Sequence, residues 1–134
     1  MNDATPSVFA RAGAYFDRFA EAFSTFDGAQ IAQLFAAPFV TLGRDGSLTG
    51  LSQQDYITRH YQAALDRYRR DGCRSCRWSD LSVAPMGCRA VLAAVTWDLV
   101  REDGTVVTRW RQSYGLSLAG DDGPRAFAVV SHAE

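Results

Sequence analysis

Three sets of residues in this 134-residue chain could do chemistry. The first is Cys73-Arg-Ser-Cys76, with Cys88 further on. A structural zinc site closes with four ligands, and three thiols fall short of that. A redox pair of this spacing opens a helix after a strand. Here the pair follows a helical pattern and enters a strand, so neither a metal centre nor a redox centre is expected, and no other cofactor is implied. The second set is His60 and His132, the only imidazoles in the chain. Their ordinary pKa suits proton transfer near neutral pH, which makes both candidate catalytic residues. The plainer readings are a helix-surface histidine and a terminal one. The third set is Trp97, Trp110, Gln112 and Tyr114, polar tips carried on large apolar bodies. Tyr114 is the third catalytic candidate, as a hydrogen-bond donor. All 14 basic residues are arginine, so lysine Schiff-base chemistry is excluded.

The composition is 47% hydrophobic and 22% charged, with net charge −1. This is a globular balance, and it predicts a single domain over residues 1–134. There is no basic excess to attract nucleic acid. No apolar run approaches the ~20 residues of a membrane span. No signal peptide is visible, and an odd cysteine count fits a reducing compartment, so a cytoplasmic location is expected. Gly120-Asp-Asp-Gly123 is acidic and lies in a turn, which argues against a phosphate loop. No nucleophile-elbow pattern is present.

These side chains need elements to hold them. Phe9, Ala12, Phe16, Phe19 and Phe23 recur at helical spacing, with Thr5 as cap and Pro6 at the first helical position. A short helix follows, capped by Asp27 with Gln30 in capping-box spacing and stopped by Pro38. Residues 39–42 and 47–49 form a hairpin. Ser52 and Asp55 open a third helix that runs to Asp71 and ends at Gly72. Its buried face is Ile57, Tyr61, Ala64, Leu65 and Tyr68; Arg59, Asp66, Arg67, Arg69 and Arg70 face mostly outward, and the arginine cluster reads as a solvated face rather than an anion site. Strands are predicted near 74–84, 88–101, 105–119 and 125–132, separated by Pro/Gly/Asp turns.

A two-residue Asp103-Gly104 turn sets Trp97 opposite Trp110, Val95 opposite Gln112 and Ala93 opposite Tyr114 on one face. Asp98 then meets Arg109, and Ala94 meets Ser113, on the other. The aromatic face should meet the helices, and its polar tips need partners that a partly hydrated cavity would supply. Ligand-lining residues are therefore expected to be Phe16, Phe19, Trp97, Trp110, Gln112 and Tyr114. On the last strand, Ala126, Ala128, Val130 and His132 are expected to face inward. The opposite sheet face, small and nearly flat, suits a second copy of the chain.

The order of elements, Leu34-Phe35-Ala36-Ala37-Pro38-Phe39, Arg44-Asp45-Gly46, Trp110-Arg-Gln-Ser-Tyr-Gly-Leu-Ser-Leu118 and the terminal Val-Val-Ser-His132 together resemble the nuclear transport factor 2-like superfamily. The resemblance spans nearly the whole chain. It implies an α+β fold in α-α-β-β-α-β-β-β-β order, a cone-shaped curved antiparallel sheet wrapped around the N-terminal helices. It also implies an apolar pocket and a homodimer through the outer sheet face. The catalytic set of the ketosteroid isomerases in that superfamily transfers poorly. Phe19 stands where they use an oxyanion-hole tyrosine, Gly43 near their basic aspartate, and Tyr114 near their protonated acid.

Three functions follow as expectations. The first is a module that binds a small apolar or aromatic molecule. The second is a metal-independent SnoaL-like cyclase, dehydratase or isomerase. The third is a protein-interaction domain with a vestigial pocket.

Overall fold

The computed structural model describes residues 7–133. Helix α1, Val8–Phe23, begins at Ser7, whose hydroxyl accepts from the Ala10 amide at 3.0 Å. Thr5 and Pro6, expected to open the helix, lie outside the described residues. Ala12, Tyr15, Phe16, Phe19, Ala22 and Phe23 make its buried face, while Phe9 is turned to solvent. Helix α2, Gly28–Ala32, carries the expected Asp27 cap.

Pro38 does not end a helix. Strand β1, Phe35–Leu42, begins three residues after α2 ends at Ala32 and includes Pro38. Strand β2, Leu48–Leu51, pairs antiparallel with β1. Helix α3, Gln54–Arg70, is preceded by Gln53 without a side-chain cap, so Ser52 plays no capping role. It ends before Gly72, whose φ of 94° is in the left-handed region that glycine tolerates.

Strands β3 (Cys73–Met86), β4 (Ala90–Arg101), β5 (Val106–Ser117) and β6 (Arg125–Ser131) complete a six-stranded sheet in the order β2-β1-β6-β5-β4-β3. The fold is α+β, with three helices against one face of a curved, unclosed sheet. Every neighbouring pair is antiparallel except β1 and β6, which run parallel.

The β4–β5 register is the expected one: Trp97 opposite Trp110, Ala93 opposite Tyr114, Asp98 opposite Arg109. It arises differently. Arg101 bonds to Thr105, so the turn has three residues, with Gly104 at φ 87°. A bulge at Val107, between the Val100–Val106 and Leu99–Thr108 pairs, then restores the phase.

On β6 a bulge has the opposite consequence. Gly115 pairs with Ala128 and Leu116 with Ala126, leaving Phe127 as the extra residue. Past it, Val129 is buried and Val130 exposed. Ala126 faces inward as expected, but Ala128, Val130 and His132 do not. Phe127 lies over Gly115, where a Cβ would come within 2.8 Å of its ring.

Among the described residues, no helix is long and apolar enough to cross a membrane.

Candidate functional site

Between α1, α3 and the concave sheet face lies a cavity of about 430 Å³. That is within the range of small-molecule sites. Aromatic rings make up a large part of its walls. Phe19 and Phe23 come from α1, Tyr61 and Tyr68 from α3, and Trp97, Trp110 and Tyr114 from the sheet. The spacing that gives α1 an aromatic stripe and β4–β5 an aromatic face therefore brings both surfaces to one space. Phe19 packs at 5.1 Å from the Trp97 ring centre. Tyr61 stacks on Phe35 at 4.7 Å.

The inner wall carries a chain of hydrogen bonds. The Trp110 indole donates to Gln112 Oε1 at 2.8 Å, and the Ser131 hydroxyl donates to the same oxygen at 2.7 Å. An indole N–H only donates, so this contact fixes the amide: Oε1 toward Trp110, Nε2 toward Tyr114. Gln112 Nε2 then donates to the Tyr114 hydroxyl at 2.7 Å, and Trp97 Nε1 donates to it at 2.8 Å. The phenol oxygen thus accepts twice. Its own proton finds no acceptor among the described residues. Burial raises the Tyr114 pKa, outweighing the two hydrogen bonds that favour the phenolate, so the group is a neutral donor at physiological pH.

Of the expected lining residues, Phe19, Trp97, Trp110, Gln112 and Tyr114 meet at the cavity. Phe16 does not. It sits one turn earlier on α1, fully buried behind Tyr114 and Trp97 at ring separations of 5.0 and 6.0 Å.

The histidines separate. His60 lines the cavity from α3, half-buried, with its pKa lowered by burial and by the nearby Arg67 charge. His132 lies outside it, 2.7 Å from Ser113 Oγ on the outer face. The Phe127 bulge is the cause, because it puts Ser131 inward in place of His132. No periodicity in residues 125–132 signals that bulge.

Two contributors escaped the sequence reading. Arg67, read as part of a solvated helix face, and Arg44 of the β1–β2 hairpin both line the cavity at its mouth. Helical spacing alone does not reveal that a hairpin folds over that face. Cys76 also reaches the wall, and burial raises its thiol pKa. Among the described residues, no three His, Cys, Asp or Glu side chains gather where they could hold a metal ion.

The sequence profile of the family described as NTF2-like protein (DUF6841) matches residues 10–134. No curated protein matches the chain. Solved structures share its fold at low identity. Aln2 from a Streptomyces species superposes with a TM-score of 0.76 at 15% identity, over 98% of this chain and 94% of that one. A domain of unknown function with a cystatin-like fold from Nostoc punctiforme gives 0.73 at 18% identity, over 97% and 80%. An NTF2-like protein with a cystatin-like fold from Novosphingobium aromaticivorans gives 0.70 at 12% identity, over 92% and 80%.

Proposed function

The chain belongs to the NTF2-like protein family DUF6841, and from that premise we propose that it binds a small, largely aromatic molecule in its cavity. The observation that carries this reading is the Tyr114 hydroxyl. It is held by two donors, Trp97 and Gln112, and its proton is left free at the wall of an aromatic chamber. A core without a ligand gains nothing from a buried donor kept unpaired. A ligand carbonyl or hydroxyl oxygen would accept that proton while its ring packed against Phe19 and Tyr61.

Trp97 and Trp110 lie in the wall, so their emission reports occupancy. Titration with 2-acetonaphthone should quench it saturably. Ala64→Phe, which fills space from α3, should weaken that binding. Linear quenching that is the same in both proteins would overturn the proposal.

A second reading is favoured by His60. It is an imidazole held toward its neutral form on the same cavity as a phenolic donor. Such a pair is the minimum for metal-independent proton transfer, as in a SnoaL-like cyclase, dehydratase or isomerase.

We further propose a cytoplasmic homodimer. Val40, Leu92, Phe127 and Val130 are all exposed on the outer sheet face, around the small residues Ala94 and Gly115. An apolar sheet face of this kind is suited to an isologous contact. The three free thiols support a reducing location.

A further inference from the structure

The charges at the cavity have one sign. Arg44 and Arg67 contribute guanidinium groups to its lining, and among the described residues no aspartate or glutamate lines it. The two arginines come from different elements, the β1–β2 hairpin and α3, yet both act on one side chain. Each guanidinium lowers the pKa of the Tyr68 phenol, against burial, which raises it. Neither arginine forms an ion pair among the described residues, unlike Arg77, Arg109 and Arg125. The acids nearest them in sequence are engaged elsewhere. Asp45 accepts from the Ser47 amide and hydroxyl, and Asp66 accepts from Gln62. The His60 imidazole, which also lines the cavity, is held toward neutrality by burial and by Arg67.

Two like charges brought to one opening without a counter-charge repel each other. An anion between them removes that repulsion, and guanidinium groups bind carboxylates through paired, charge-assisted hydrogen bonds. We propose that the ligand is an aromatic carboxylate whose ring end also carries the oxygen that meets Tyr114, with its ring in the aromatic chamber and its carboxylate between Arg44 and Arg67. This rests on the ligand-binding reading above and adds the ligand's charge and orientation. The ring end faces the Trp97–Tyr114–Gln112 wall, and the charged end stays at the solvent side, where its desolvation cost is smallest.

The test uses the full chain, tryptophan fluorescence and two probes of nearly the same shape, 2-naphthoate and 2-naphthamide. Naphthoate should bind about tenfold more tightly than the amide at low salt, and added salt should shrink the difference. The double variant Arg44→Gln/Arg67→Gln changes two exposed residues. It should remove the preference by weakening naphthoate alone. Equal binding of the two probes to the wild-type protein would overturn the carboxylate assignment and leave the ligand-binding reading standing. A preference that survives in the double variant would overturn the role of these arginines. Binding of neither probe would overturn both readings.

Discussion

The Trp110 indole and the Gln112 amide, two residues apart on β5, are joined by a 2.8 Å hydrogen bond, and that bond decides which end of the amide meets Tyr114. The cavity's free phenolic proton is therefore set by a residue that never touches the phenol. Tyr114→Phe tests this arrangement. It leaves the Trp97 indole N–H and one Gln112 N–H without their acceptor. Each orphaned buried donor costs about 1–3 kcal/mol. Urea unfolding should show a loss of about 2–6 kcal/mol for the two together, and binding of 2-acetonaphthone should weaken. An unchanged midpoint would mean that the two hydrogen bonds do not exist in solution.

Gly28 opens α2 directly against α3. A Cβ there would lie 2.7 Å from the Thr58 carbonyl oxygen and 2.9 Å from the Gln62 amide nitrogen, both backbone atoms. Alanine normally favours a helix over glycine, but here α3 would have to move. Gly28→Ala should therefore destabilise the protein by about 1–3 kcal/mol. Gly50→Ala is the control. Nothing lies within 4 Å of its added methyl group, so its effect should stay within about 0.5 kcal/mol. Thermal unfolding of the two variants side by side decides the point.

His60 gives the fold an acid-sensitive component. Its pKa in the folded chain is lowered below the ordinary 6.5 by burial and by Arg67. Above 6.5 both folded and unfolded chains carry it neutral, and its contribution is fully present. As pH falls below 6.5 the unfolded chain takes up the proton first, so stability drops until the folded pKa is passed. His60→Asn should therefore lose less stability than wild type between about pH 7 and pH 5 in urea titrations. A steeper loss in the variant would mean that the folded state favours the charged imidazole.

The outer face can be probed by mass. Wild-type protein should scatter light as a species of twice 14.7 kDa at micromolar concentration. Leu92→Arg places a charge on an exposed position of that face and should return the monomer mass with the same circular dichroism. A wild-type mass near 14.7 kDa would end the dimer proposal.

The sequence revealed the cavity's inner wall better than its mouth. Trp97, Trp110, Gln112 and Tyr114 share a face because strand alternation is strict, and a register needs only one correct pairing. The pairing held although the turn has three residues, because the Val107 bulge compensates for it. Strand β6 has one bulge and nothing to offset it, so His132 faces outward where strict alternation predicts it inward. Phe16 belongs to the same helical stripe as Phe19, but the stripe is longer than the cavity. Arg67 escaped because a helix sees only its own periodicity, while the group that makes it functional, Arg44, arrives from a hairpin more than 20 residues away.

The three cysteines occupy three different environments. Cys88 is exposed in the β3–β4 turn, Cys73 is buried in the core, and Cys76 is in the cavity wall with its thiol held protonated by burial. Alkylation should therefore proceed in a fixed order, with Cys88 first. Cys76 would follow only for a reagent small enough to enter the chamber, and Cys73 would react only on unfolding. Once Cys88 has been replaced by serine, the rate at Cys76 becomes a footprint of the chamber. A bound guest would slow it, and the slowing would report occupancy for compounds that leave tryptophan emission untouched.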